Sequence, residues 1–330
     1  MKIFRAEPMR RYHFHDLHIG FADRILIKGE RNGPDFNLRM FNEDFAILFR
    51  SVNRRNGNLF EILSNDDELT QRLIGNIKTR YAPHSLDETI RELVEEISHS
   101  LIWLGAAYYF IHGDIEHGDI HVASFSSTGV VRLFGTHIQW VPKRTERHWD
   151  RDDQEMPREI RILDAAKILR FEIPKTIKRM LSAQNRTLAV LDKHQFGATD
   201  FHPQATHDNP NPTSHFDFRV WKDTQEHALY RSTRGTGWNG RKYDSSKRSD
   251  FFDCHRLIRF RRNQLMLRDD ILRQLSAELS RVGKGYNTEF NVKISGTDEL
   301  PSVEQLNELE ARLTREEVGF TEIINYCYKS

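Results

Sequence analysis

Two stretches in the first third of the chain carry apolar residues at helical spacing. Residues 65–81 (NDDELTQRLIGNIKTRY) put Leu69, Leu73, Ile74 and Ile77 on one face, behind Asn65 and Glu68 at capping-box spacing, and Pro83 stops the run. Ser85 and Glu88 open a second helix, S-x-x-E before a stripe of Ile90, Leu93, Val94, Ile97, Leu101 and Leu104. Ahead of them, residues 23–29 (DRILIKG) predict a short strand and residues 42–52 (NEDFAILFRSV) a helix with an Asn cap. After Gly105 the period changes to alternation. Apolar and aromatic runs at 107–111, 120–125, 130–134 and 138–141, separated by GDIEHGD, SSTG and GT, predict a β-meander.

Residues 143–158 (KRTERHWDRDDQEMPR) are too charged for a core segment and predict an exposed excursion. Residues 167–173 alternate as a strand, and Pro174 starts a helix carrying Ile177, Leu181, Leu188 and Leu191. Residues 197–250 shift to Asn, Pro, His, Gly, Ser and Arg, the composition of a joint or arm. A long helix at 251–281 follows, with Ile258, Leu265, Leu272 and Leu279 at intervals of seven and Gly283 and Gly285 to end it. A strand at 289–294 and a helix from Ser302 finish the chain. The expected class is α+β: a helical N-terminal part, a β-meander core, and a long C-terminal helix followed by a small α/β end. The expected division is 1–196, a polar arm at 197–250, and 251–330.

Composition narrows the function classes. The 330 residues hold 49 Lys and Arg against 48 Asp and Glu, a net charge of +1, with aromatics at 11% and charged residues at 29%, which describes a folded polar chain and not a disordered one. The longest nearly uncharged run, residues 101–111, is about half of the ~20 residues that a membrane span needs. The start lacks the apolar core of a signal peptide. Cys254 and Cys327 cannot build a framework of bridges, and neither has an acid–base pair readable beside it, so a reducing cytoplasm is expected. Charge is segregated along the chain: residues 231–284 carry a net +8 and residues 295–329 a net −5. A basic segment followed by an acidic end suits a polyanion, a second copy of the chain, or an internal pairing.

The densest chemistry is HGDIEHGDIH at 112–121. His112, His117 and His121, with Asp114 or Asp119, offer ligands to a divalent metal, while Gly113 and Gly118 with the repeated GD equally supply the chemistry of a turn between strands. The string also resembles the catalytic loop of aminoglycoside-phosphotransferase-type kinases, which would make Asp114 the catalytic base. Position 119 is Asp where that family has its metal-binding Asn, and VRLFG at 131–135 lacks the downstream metal-binding Asp. His13, His15, Asp16 and His18 suit an edge strand or a metal, and His202, His207 and His215 a polar loop.

Gly235, Gly237 and Gly240 spell G-x-G-x-x-G, but no following helix is predicted for a phosphate to meet. Trp238 among Arg231, Arg234, Arg241, Lys242, Lys247 and Arg248 suits a loop that tracks a nucleic-acid backbone and stacks on bases, or else a solvated loop or subunit contact. On the long helix, Arg256, Arg259, Arg261, Arg262 and Arg268 repel one another unless compensated, so that face meets something anionic: another subunit, a polyanion, or the acidic C-terminal helix.

The order of elements resembles the core of tailed-phage portal proteins, the ring-forming subunits of the head–tail vertex. The features that carry the resemblance are the helix through Ile97–Leu104 into GAAYYFI at 105–111, HIQWVP at 137–142, ILRFEIP at 168–174, and a polar middle before the long helix, together spanning residues 65–295. The resemblance implies a non-enzymatic structural subunit that oligomerises as a ring, contacts DNA and other assembly proteins, needs no cofactor, and resides in a virion. The alternative is a metal-dependent or phosphotransferase-like enzyme built on HGDIEHGDIH.

Overall fold

The computed structural model describes residues 2–9, 17–27, 36–49, 58–80, 85–113, 120–146, 152–197, 218–240 and 250–329. In chain order they form β1 (Lys2–Arg5), β2 (Leu17–His18), α1 (Phe21–Leu26), α2 (Phe36–Ala46), β3 (Phe60–Ser64), α3 (Asp67–Gly75), β4 (Ile77–Lys78) and α4 (Leu86–Leu104). Then come β5 (Ala106–His112), β6 (His121–Ser124), β7 (Val130–Leu133), β8 (Thr136–Val141), β9 (Lys143–Glu146), β10 (Gln154–Met156), β11 (Glu159–Leu163) and β12 (Ile168–Glu172). The remainder is helical apart from one strand: α5 (Lys175–Gly197), α6 (Phe218–Ser232), α7 (Asp250–Gly283), β13 (Val292–Gly296), α8 (Val303–Thr314) and α9 (Phe320–Lys329). The fold is α+β.

The chain forms two compact units. One comprises Met1–Arg31, Gly57–Ile173 and Asp269–Glu299; the other comprises Asn32–Asn56, Pro174–Arg268 and Leu300–Ser330. In the first unit, β1-β11-β8-β7 form a sheet in which β1 runs parallel to β11 and the other pairs are antiparallel. A second sheet has the order β12-β5-β6-β4, and Tyr108, Phe110, Phe125, Leu163 and Ile168 make a core cluster of this unit. Smaller sheets join β10-β9-β2 and β13-β3. The expected meander therefore divides. Its first two runs make a hairpin in one sheet and its last two a hairpin in another, because Phe125 closes the first sheet with a hydrogen bond to the Tyr108 carbonyl (3.2 Å) while Trp140 reaches the Gly129 carbonyl (2.8 Å) to start the second.

Helix α4 follows its sequence signals: the Ser85 hydroxyl accepts from the Glu88 amide, and Gly105 ends the helix in the left-handed region at φ 82°. Other boundaries move. The expected strand at 23–29 is helix α1 over its described residues, because the Asp23 carboxylate folds back to accept the Gly20 amide at 2.7 Å. Helix α2 starts before Asn42, which lies buried in mid-helix instead of capping it. It ends where Gln264 donates to the carbonyls of Asp44 and Ile47 at 2.9 and 2.8 Å. Asp66, not Asn65, caps α3, since the Asn65 side chain is taken by the Glu289 carbonyl and the Asn291 amide. The charged stretch at 143–158 contains β9 and β10, and Arg144 within it is buried with its guanidinium on Glu146 at 2.8 Å.

The second unit is helical. Cys254, Ile258 and Leu265 of α7 pack with Leu306, Leu309 and Leu313 of α8 and Ile323 and Cys327 of α9. Burial pushes the Cys254 thiol up to about 11 and the Cys327 thiol to about 12, which leaves both as inert core side chains.

Candidate functional site

The ends of the HGDIEHGDIH string are held by the β5–β6 hairpin, where His112 and His121 are directly opposed across the two strands. Their rings stack with centroids 4.8 Å apart at 14°. His112 is buried and its Nδ1 lies 2.8 Å from a Glu7 carboxylate oxygen, a partner that nothing in the local sequence announces. Its Nε2 has no hydrogen-bond partner among the described residues. Asp114, His117 and Asp119 lie outside the described residues, as do His13, His15, Asp16, His202, His207 and His215. Among the described residues, no group of three His, Cys, Asp or Glu side chains is placed to hold a metal ion.

The middle glycine of the G-x-G-x-x-G string is explained by close approach to α7. A Cβ on Gly237, at φ 82°, would stand 2.2 Å from the Arg256 carbonyl oxygen and 2.8 Å from the Phe260 amide nitrogen, so only glycine lets this loop lie against the helix backbone. Trp238 is carried inward by that contact. It is 2% exposed, its indole N–H donates to Asp44 at 2.9 Å, and Phe41 packs edge-on against it with centroids 5.5 Å apart. A ring so enclosed has no open face among the described residues. Arg231 and Arg234 are exposed; Arg241, Lys242, Lys247 and Arg248 lie outside the described residues.

Arg256, Arg259, Arg261 and Arg262 of α7 turn toward groups of their own chain. Arg256 donates to the Tyr230 carbonyl at 3.2 Å, to the Thr233 hydroxyl at 2.6 Å and to the Trp238 carbonyl, with its guanidinium 5.2 Å from the centre of the Tyr230 ring. Arg261 donates to Gln264 at 2.8 Å, Arg259 to the Arg234 carbonyl at 3.0 Å, and Arg262 pairs with Glu310 of α8. Arg256, Arg261 and Arg268 are buried, and the printed partners of Arg256 and Arg261 come from the same chain, because the part of α7 up to Arg268 belongs to the helical unit. For Arg262 the acidic C-terminal helix is the partner, one of the three alternatives that the sequence leaves open.

The first unit presents large apolar side chains to solvent on β1 and at the β7–β8 turn of the sheet β1-β11-β8-β7, among exposed Lys2, Arg5 and Arg132. On the outer strand β1, Ile3 and Phe4 are exposed. At the other edge, β7 and β8 are joined by Phe134 and Gly135, both at positive φ (48° and 84°), the backbone of a type I′ hairpin turn. Phe134 is fully exposed beside Leu133, which is itself exposed. A bulky residue in the left-handed region, with its ring in water, violates both the turn chemistry and the burial preference of Phe. The sequence signal was present in Leu133-Phe134-Gly135-Thr136, where a two-residue turn between alternating strands normally takes Asn or Gly first.

No family model and no curated protein matches the sequence. Among solved structures, the chain is similar to a component of the virion of a native gene transfer agent particle, with 11% identity and a TM-score of 0.42 over 86% of each chain. It is also similar to a component of the neck of an empty gene transfer agent particle computed with C6 symmetry, with 11% identity and a TM-score of 0.38 over 94% of this chain and 93% of the other.

Proposed function

We propose that the protein is a non-enzymatic structural subunit of a phage-like particle, one that assembles with copies of itself into a portal-like ring and contacts DNA. The observation that carries this reading is Phe134, a fully exposed aromatic side chain held at φ 48° on one edge of a sheet whose opposite edge strand exposes Ile3 and Phe4. Backbone strain kept at an exposed position is a mark of function. Two different apolar surfaces at opposite edges suit a head-to-tail contact, which closes a ring when the rotation between subunits allows it. Among the described residues no strand pairs with the outer edge of β1, whose backbone donors and acceptors a strand from a neighbour can take up.

The test is mass in solution for the wild type and for Phe134→Asn. Asn tolerates the left-handed region, so the variant is expected to melt higher, by relief of about 1 kcal/mol of backbone strain, and yet to fall from oligomer to monomer. A wild-type protein that stays monomeric at all concentrations would end the reading. A second reading is favoured by the unpartnered, buried Nε2 of His112: a divalent metal held with His121, His117 and Asp119 in an enzyme whose base is Asp114. Unchanged metal content in His117→Ala would remove it.

A further inference from the structure

Helix α5 has one face made of cations. Lys175, Lys178, Arg179 and Arg186 line a shallow surface hollow together with Ser182 and Ala183. At about 100° per residue the four cations fall in an arc of about 100°, opposite the buried stripe of Ile177, Leu181, Gln184 and Leu188. All four cations are exposed, and none has an acidic partner among the described residues. The helix has no carboxylate from Lys175 to Leu191; its first, Asp192, is buried and engaged by the amides of Asn37 and Leu38, both at 3.0 Å.

This arrangement works against the helix. Three of the four cations stand in its first two turns, where the unpaired amide groups already concentrate positive charge and where acidic side chains would stabilise. A local rule broken without compensation among the described residues is expected at a working surface. We infer that the basic face of α5 binds the phosphate backbone of a nucleic acid. Its composition favours that partner over a protein. Between Lys175 and Arg186 the face carries only charged, hydroxyl and small side chains, which is the makeup of phosphate contacts. A protein interface would place aromatic or large apolar side chains at its centre and exclude lysine there. The site does not require the ring: a monomer would bind phosphate through it equally well.

The experiment measures binding of the full-length protein to a short DNA duplex of arbitrary sequence, an RNA duplex of the same length, and a single-stranded DNA, across about 50 to 200 mM salt. Replacing Lys175, Lys178, Arg179 and Arg186 by Gln is expected to reduce the slope of log affinity against log salt by about 3 to 4, equally for unrelated sequences. Lys175→Arg with Lys178→Arg is expected to keep the slope. The quadruple variant should also melt higher, since its N-terminal cations oppose the helix dipole. Comparing the three probes identifies which backbone is preferred. An unchanged slope on all three overturns the inference. So does a quadruple variant that changes only the oligomeric state, which would make the face a subunit contact. Failure of Phe134→Asn to dissociate an oligomer bears on assembly and leaves this result standing.

Discussion

Asp23 shows how one buried carboxylate organises the start of the chain. It is fully buried, and it accepts the Gly20 amide at 2.7 Å, the Trp140 indole N–H at 2.7 Å and the Arg158 guanidinium at 2.8 Å. Burial by itself pushes the carboxyl up, but the hydrogen bonds from Arg158, Trp140 and Gly20 and the charge of Arg158 outweigh it and hold the group below the usual carboxylate range. A depressed folded value means that the unfolded chain binds the proton first. The stabilisation is therefore complete above about pH 4 and is lost as pH falls through the folded value. Asp23→Asn is expected to destabilise by about 3 kcal/mol at neutral pH and to flatten the acid limb of a urea-unfolding series. His137 has the same sign. Burial first, then the charges of Arg170, Arg132 and Arg281, lowers its value, so it contributes loss of stability as pH falls below about 6.5.

At the scale of elements, the contact between the glycine loop and α7 is the most sensitive to a single atom. Gly237→Ala introduces a Cβ 2.2 Å from the Arg256 carbonyl oxygen, in a backbone region that L side chains avoid. It is expected to cost about 3 kcal/mol or more and to raise the fluorescence exposure of Trp238, read by quenching in native conditions. The same contact shows which features were legible in the sequence. Signals that act over a few residues were readable: the Ser85 cap, the change of period at Gly105, the helix start at Ser302 and the apolar stripe of α7 at intervals of seven. Signals that depend on a distant partner were not. Asn42 looks like a cap until Phe36–Ala46 is seen to begin earlier, and Trp238 looks like a stacking residue until Asp44, 194 positions away, takes its N–H. Helix α6 was hidden because its turns are embedded in Asn, Pro, His and Gly, and α9 because it follows α8 after only a short break. The basic stripe of α5 stands in the sequence as KTIKR at 175–179 with Arg186, but spacing alone does not tell a solvated cation from one paired with a distant carboxylate.

Over the whole molecule, a net charge of +1 conceals surfaces of different physical kinds. The arginine-rich stretch of α7 is largely consumed within its own unit, with Arg262 on Glu310, whose carboxyl is raised by burial but lowered further by Arg262 and His255. The cations of α5 are exposed and have no acidic partner among the described residues. The edge strands of the sheet β1-β11-β8-β7 expose Ile3, Phe4 and Leu133, with Phe134 at the β7–β8 turn, among the charges of Lys2, Arg5 and Arg132. These surfaces respond to salt in opposite directions. Added salt replaces condensed counterions that a bound protein would have released, and so weakens phosphate contacts steeply. It leaves apolar association unchanged or, with sulfate, strengthened. Sedimentation of the protein with a DNA duplex is therefore expected to show an oligomer carrying nucleic acid at about 50 mM salt and the same oligomer without it at about 200 mM. Loss of the oligomer together with the DNA would mean that subunits are held by charge. The exposed apolar edges would then have no part in assembly, and Phe134 would be strained for some other purpose.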